Sequence, residues 1–443
     1  MDSVSKKFSS WKKEYQEKLV SPSEAVRYVH DGDIVYVGCS SSVAYGLCDA
    51  LGSRAPELKN VGVVSSNVSR PTSLLSGSHP DSFYEITPFM GPGERVLQKI
   101  DRCDYTSMHL SEVDVFYRDI VRVDVAFLEV SPPDENGYFS LGAHGGAMGI
   151  YVLETADRVI LQVNRNVPYI GGGTNLIHIR EVTAAAEIDT AIFEYTSTES
   201  GEETQKISEY ILDQIPDGAC LQLGLGGVTN AIGYGLKNKN ELGIHSELYT
   251  DSMMELTQMG VITNRQKSYF PGKSVAAFAF GTKTLYRYLD HNDDMVFQPF
   301  PVVNNIINIA KNDNMISVNA AMAVDLLGQV CADNLAGKQY SATGGQLDFV
   351  RGAQMSKNGK SFIAFTSSFM SKSGKKKSRI LSQLPPGSAV TTPRSDVQYV
   401  VTEHGCVNLK KLTAHGRVHA LIELADPEFR PQLLEDAKRL SLI

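Results

Sequence analysis

The sequence predicts an α/β protein made of two tandem open α/β/α domains of related topology. Three observations lead there. The chain has 443 residues, too many for one ordinary core and suited to two domains of roughly 200 residues each. Each half contains the same passage, a helix that turns at a glycine into a short apolar strand. Each of those strands then runs through small residues into another helix, the alternation expected of an α/β fold.

The first passage is "SPSEAVRYVHDGDIVYVG", beginning at Ser21. Ser21 stands as N-cap, Pro22 takes the first helical position and Glu24 closes a capping box, before Gly32-Asp33 turns the chain into an apolar strand. The small residues and second helix follow in "CSSSVAYGLCDAL". In the other half, "EETQKISEYILDQIPDGACLQLG" repeats the device, with an amphipathic helix, a Pro-Asp-Gly turn at 216–218 and a strand ending at Gly224. Its second helix is "LGGVTNAIGYGLK". A later pair also corresponds: "VDVAFLEVSPPDENGYFS" and "ISVNAAMAVDLLGQVCA" each place an Asp three residues before a Gly, Asp134 with Gly137 and Asp325 with Gly328. These correspondences indicate a duplicated α/β unit. The polar stretch "STESGEET", 197–204, is the expected linker, giving domains at 1–200 and 201–443.

Composition removes several function classes. A formal charge of −8 argues against broad nucleic-acid or membrane binding, since both need a basic surface. The six cysteines (Cys39, Cys48, Cys103, Cys220, Cys331, Cys406) form no CxxC pair and no His/Cys spacing that suits a metal, so buried, reduced thiols and no metal are expected. The start, "MDSVSKKFSSWKKEYQEKL", lacks the apolar core of a signal peptide, and no run of eighteen apolar residues follows. A cytoplasmic location is expected.

The stretch that asks for chemistry is "GIHSELYTD", 243–251, about twenty residues after the glycine-rich "LQLGLGGVTNAIGYGL". Strand, then Gly224-Leu225-Gly226-Gly227, then helix is the layout in which backbone N–H groups and a helix N-terminus meet negative charge. A dinucleotide site would require G-x-G-x-x-G/A with an acid about twenty residues on. Glu247 has the right distance, but the third glycine position is Thr229. A nicotinamide dehydrogenase fails on that residue. Glu247 has two other readings: a hydrogen-bonded strand end, or a nucleophile at a strand's C-terminal end that attacks an acyl carbon while the loop's donors hold the oxyanion.

Several stretches decide between these together. "SPPDENGYFSLG", "LQLGLGGV", "GIHSELYTD", "GTKTLYRYL", "SATGGQLDFVRGA" and "TPRSDVQYVVTEHG" occur in order along the chain. Together they resemble the acetyl-CoA hydrolase/transferase family of CoA-transferases, and within it the 4-hydroxybutyrate and butyrate CoA-transferases. The resemblance implies the CoA-transferase-like fold in both domains. It also implies that Glu247 forms a glutamyl-CoA thioester and that Gly224, Leu225, Gly226, Gly227 and Val228 bind CoA and supply oxyanion donors. Asn319 and Met322 in "VNAAM", Gly345 in the "GGQ" turn and Lys372 after "FTSSFMSK" correspond to CoA-contacting positions. Coenzyme A enters as substrate and transient covalent adduct, with no metal or redox cofactor, and a homodimer or higher homo-oligomer is implied.

Two positions depart from the family pattern. Many relatives have proline where this chain has Thr229, which loosens a turn and leaves the backbone donors available. They have tyrosine where it has His404, which is expected near the acyl pocket as a polar contact or as a structural histidine. His178 in "NLIHIREV" is expected to be structural. "SKSGKKKSRI" concentrates five Lys/Arg between 372 and 379, a solvated loop or a contact for CoA phosphates. The expected activity is ping-pong transfer of CoA between an acyl-CoA and a short-chain acid (acetate, butyrate, 4-hydroxybutyrate or a dicarboxylate such as itaconate). The alternatives are an acyl-CoA hydrolase and a non-catalytic ligand sensor on the same fold.

Overall fold

The computed structural model describes residues 10–172, 174–195 and 201–443. Residues 197–200, half of the expected linker and the end of the expected first domain, lie outside the described residues. The chain forms two compact units, one comprising Met1–Tyr195 and Ala276–Val302, the other Thr196–Val275 and Val303–Ile443.

In the first unit the capping box forms around α1 (Pro22–Ala25): the Ser21 hydroxyl accepts from Glu24 N at 3.3 Å, and Glu24 Oε2 accepts from Ser21 N at 3.0 Å. Gly32, at φ +78°, reverses the chain into β1 (Ile34–Cys39), which feeds α2 (Tyr45–Gly52). The remaining strands are β2 (Val61–Ser66), β3 (Phe83–Thr87), β4 (Cys103–Tyr105), β5 (Val125–Val130), β6 (Arg158–Val163) and β7 (Ala184–Glu187). They pair in parallel in the order β4-β3-β2-β1-β5-β6-β7. The first strand therefore sits in the middle, and the chain builds outward on one side before crossing to the other. Strands β2 and β5 are buried at every residue, so both faces of the sheet are covered. Leu47, Cys48 and Leu51 of α2 pack with Val35, Val37, Val63 and Phe127 in that core.

The second unit repeats this plan. Its opening helix is α3 (Glu202–Leu212), and Gly218 at φ +74° leads into β8 (Cys220–Leu223), one residue shorter than expected. Then come α4 (Gly227–Gly235), β9 (Gly243–Tyr249), β10 (Met315–Ala320), α5 (Gln346–Met355), β11 (Lys360–Ala364), β12 (Tyr399–Thr402) and β13 (Gly405–Asn408). Within this unit the strand order is β9-β8-β10-β11-β12-β13, parallel except for the final pair. Again the first strand is central. Cys220 faces Gly243 on one flank and Met315 on the other.

The duplication extends to a turn. Asp134 Oδ1 accepts from the backbone N–H groups of Asn136 and Tyr138 at 2.8 and 2.9 Å, and Asp325 Oδ1 accepts from Leu327 and Gln329 at 3.0 and 2.9 Å. Gly137 and Gly328 donate back to the Asp carbonyls and hold φ of +87° and +88°, a region that favours glycine. His178 buttresses the first copy, its Nε2 3.1 Å from Asn136 O and its Nδ1 accepting from Arg180 N at 3.1 Å. That is the structural role expected of it. Cys39, Cys48, Cys220 and Cys331 are buried, Cys103 and Cys406 are partly so, and all six are unpaired. No helix among the described residues is long and apolar enough to cross a membrane.

Asp325 is almost fully buried, so Asp325→Ala should leave two backbone donors unsatisfied and lower stability by about 2 kcal/mol. Asp134→Ala, in the more exposed copy, should lower it by about 1 kcal/mol or less. Denaturant unfolding of the two variants checks the ranking, and an unchanged Asp325→Ala midpoint contradicts it.

Candidate functional site

Strand β9 is buried at six of its seven residues, and Glu247 is the partly exposed exception. Its carboxyl is nonetheless closely held. The fully buried Asn304 donates from Nδ2 to Glu247 Oε2 at 2.8 Å. Gly345 presses on the same pair: a Cβ at that position would stand 2.1 Å from both Asn304 Nδ2 and Glu247 Oε2. Only glycine fits there. Because Gly345 is also the N-cap of α5, the carboxyl abuts the start of a helix, where partial positive charge favours an anion. Loss of water pushes the Glu247 carboxyl up to about 7, against the opposing pull of the Asn304 hydrogen bond. Both protonation states are therefore populated at neutral pH.

The strand that carries Glu247 is pinned from several sides. His245 Nε2 lies 2.8 Å from Val303 O, tying β9 to the residue before Asn304. Burial, with a contribution from the Lys267 charge, holds His245 down at about 4, so the ring is neutral and Nε2 donates. Lys267 is itself buried and is lowered to about 8 by loss of water. Its ammonium donates to Ile244 O at 2.6 Å and Lys273 O at 2.7 Å. Asn264 Oδ1 accepts from Ile244 N at 2.9 Å. These bonds fix the backbone three residues before Glu247.

The glycine loop forms a second part of the site. Gly224 belongs to the strand pairing, since its N–H donates to Val318 O at 3.2 Å. That donor is taken, which corrects the expectation that Gly224 offers it to a ligand. Gly226 holds φ +132° and ψ 174°, a conformation essentially reserved for glycine, and caps α4 with no side chain to receive its first N–H groups. Thr229 does what a proline would do by other means: its buried hydroxyl donates to Gly226 O at 3.0 Å and holds the turn. Leu225, Gly226, Gly227 and Val228 line a cleft of about 180 Å³ with Asn319 and Arg379. It lies where the chain, having built β8 and β9, switches to β10 on the other flank. Open parallel sheets bind ligands at such switch points. Asn319 is held in place by donating to Ser317 Oγ at 2.9 Å and Gln222 Oε1 at 3.3 Å.

The other expected residues lie elsewhere in this unit. Met322 contributes a carbonyl that accepts from Arg379 Nη1 at 3.3 Å, and its side chain does not line the cleft. Lys372 is exposed in the turn joining Ser368–Met370 to Lys376–Ser378, also off the cleft. His404 follows β12, four strand positions from β9 or ~19 Å at the usual spacing, so it does not reach Glu247. Its Nε2 lies 3.5 Å from Glu403 Oε1. Conversely, the structure brings in Asn304 and Arg379, neither of which stood out in the sequence. Asn304 sits in an ordinary apolar run. Arg379 was one of five basic residues with nothing to separate it from the lysines. Among the described residues no group of three or more His, Cys, Asp or Glu could hold a metal ion.

Comparison with known proteins bears on the family and the fold. The N-terminal domain of acetyl-CoA hydrolase/transferase matches residues 1–194, and its C-terminal domain matches residues 281–437. The chain belongs to the acetyl-CoA hydrolase/transferase family. It is similar to the butyryl-CoA:acetate CoA-transferase of Anaerostipes caccae, 39% identical over 440 residues and 98% of both chains. It is also similar to the 4-hydroxybutyrate coenzyme A transferase of Clostridium kluyveri, 37% identical over 431 residues, 97% of this chain and 99% of the other. Among solved structures, RipA from Yersinia pestis superposes with a TM-score of 0.92 at 35% identity, covering 98% of this chain and 100% of that one. The family and the α/β fold expected from the motifs are thereby established.

One consequence follows for stability. Folding moves the Glu247 carboxyl from the ordinary 4.5 up to about 7. A raised acid stabilises the fold in its protonated form, fully below the unfolded value, and that stabilisation is lost as pH rises through the folded value. Glu247→Gln should therefore melt higher than the parent above pH 7, with the gain shrinking as pH falls toward 4.5. A melting difference independent of pH contradicts the assignment.

Proposed function

We propose that the chain is a CoA-transferase that moves CoA between a short-chain acyl-CoA and a free carboxylic acid through a glutamyl-CoA thioester on Glu247. The observation that carries this reading is the Glu247 carboxyl itself: desolvated, bonded by Asn304, confined by Gly345 and one strand away from the glycine loop. A carboxylate in water is a poor nucleophile. Raised to about 7, it is more basic than an ordinary glutamate while still ionised in good part at neutral pH.

The Glu247 carboxylate attacks the acyl carbonyl of the donor, forming an acyl-glutamyl anhydride and expelling CoA thiolate. The thiolate attacks the glutamyl carbonyl, releasing the first acid and leaving glutamyl-CoA. The carboxylate of the acceptor acid then attacks that thioester, giving a new anhydride and thiolate. Attack of the thiolate on the acyl carbonyl yields the product acyl-CoA and restores Glu247. Asn304 Nδ2 orients the attacking oxygen, and backbone N–H groups of residues 225–228 take up oxyanion charge. Coenzyme A is substrate and transient adduct, and no step calls on another cofactor.

Hydrolysis is the second reading, because the family includes it by name. The two diverge when the acceptor is withheld. With acyl-CoA alone, a transferase releases one equivalent of free acid per site and no free thiol, then waits until an acceptor acid restarts it. Steady thiol release without acceptor would make water the second substrate. The first half-reaction should also quicken as pH rises through about 7, because the ionised form attacks, and Glu247→Gln should release no acid at any pH. An acid burst that survives in Glu247→Gln defeats the proposal.

A further inference from the structure

Two carboxyls that the proposed reaction does not use face one hydroxyl in the first unit. Ser65 Oγ, on β2, stands 2.6 Å from Glu85 Oε1 on β3 and 3.1 Å from Glu94 Oε1, and all three residues are fully buried. A serine hydroxyl carries a single hydrogen, and two adjacent carboxylates out of water cannot both stay ionised at low cost. One of the two contacts therefore takes its hydrogen from a carboxyl. The surroundings decide which. Glu94 has the partners of an anion, with Oε1 accepting from Val68 N at 2.8 Å and Oε2 from Gly91 N at 2.8 Å. Glu85 Oε2 is buried and has no hydrogen-bond partner among the described residues, which costs far less for the carbonyl of a neutral acid than for a carboxylate. The other titratable groups that feel the Glu85 charge are the Cys48 thiol of α2, the Cys103 thiol of β4 and the Tyr117 phenol, none of which supplies a positive charge. Burial, reinforced by the Glu94 charge, holds Glu85 well above the usual carboxylate range, whereas at Glu94 the backbone N–H groups of Val68 and Gly91 oppose the rise.

The anion in this group holds two loops. Val68 follows β2 and Gly91 follows β3, so Glu94 bonds the chain at the carboxyl ends of both strands. Gly91 is needed for that approach, because a Cβ there would stand 2.7 Å from Glu94 Oε2. Asn67, beside Val68 and at φ +51°, donates from Nδ2 to Ser40 Oγ at 3.1 Å, and Ser40 holds φ +45° in the segment after β1. Non-glycine residues in the left-handed region persist only where their surroundings fix them. Strand β1 borders the crevice where the chain crosses to β5, so these bonds set one wall of the first unit's own switch point.

We infer that Glu85 is kept as a neutral acid donating to Ser65 Oγ, that Ser65 donates to the Glu94 carboxylate, and that this one proton latches the loops after β2 and β3 until alkali removes it. A proton held more tightly in the fold than in the unfolded chain stabilises the fold below the unfolded value, and that stabilisation is lost as pH rises through the folded value. Infrared spectroscopy of the full chain, scanned upward in pH, reads the proton directly. Glu129 and Glu247 both titrate at about 7, so a protonated-carboxyl band that outlasts them belongs to this pair. Glu85→Gln should fold and should lose that band, because its amide supplies the same hydrogen to Ser65 Oγ. In the parent, hydrogen exchange at the Val68 and Gly91 amides, corrected for the intrinsic rise with pH, should quicken about tenfold or more as the band disappears. Glu85→Gln should show no such step. The inference is overturned by a parent with no band beyond the titration of Glu129 and Glu247, by a band that survives in Glu85→Gln, or by loop exchange that takes no step when the band is lost. Failure of Glu85→Gln to fold, or the same exchange step in that variant, also overturns it.

Discussion

The candidate site depends on one hydrogen bond, from Asn304 Nδ2 to Glu247 Oε2, closed over by Gly345. Each partner answers a different demand. Removing water from Glu247 raises its basicity, and the amide opposes that rise by bonding the ionised form. Gly345 is required by volume, because any side chain would occupy the space of the bond itself. His245, Lys267 and Asn264 then hold the strand so that the carboxyl cannot swing away. A desolvated carboxyl destabilises the fold at neutral pH, a burden of the kind commonly found at functional sites.

Duplication supplied the frame, and only one copy carries this group. In both units the first strand is central and a flanking strand runs parallel on the side built first, β2 in one and β9 in the other. Strand β2 ends in Ser65 and Ser66, where β9 carries Glu247 near its end. The first unit does hold buried carboxyls, Glu85 and Glu94, and burial raises both above the usual carboxylate range. Both lie within hydrogen-bonding reach of Ser65 Oγ, at 2.6 and 3.1 Å, deep within the sheet region. The same fold thus tolerates buried acids in two settings, one enclosed and one a strand away from the glycine-loop cleft.

Much of the frame was legible because it is written in local chemistry. Ser21 with Glu24, Gly32 and Gly218 each act within a few residues and form as expected, and the matched Asp134 and Asp325 spacings prove to be turns. The family was legible because motifs such as the Glu247 strand and the "GGQ" turn persist as short runs. Asn304 was not, since its role comes from a contact with a residue 57 positions away. Arg379 was hidden among lysines of the same charge, and only the fold distinguishes the one that faces the cleft. The family resemblance nominated Lys372 and Met322 as CoA contacts, yet neither side chain lines the cleft, and His404 lies strands away because strand order, unlike sequence order, separates β12 from β9. The return of 276–302 to the first unit has no local signature, because it depends on which partners a later segment finds.

The central claim is that Glu247 carries CoA between the two half-reactions. Mass spectrometry of the protein after brief exposure to acyl-CoA, quenched before any acceptor is added, tests it most directly. The account predicts the mass of one CoA on the peptide containing Glu247, removed when a short-chain acid is supplied. A CoA adduct on another residue, or transfer that proceeds with no adduct on Glu247, would contradict it.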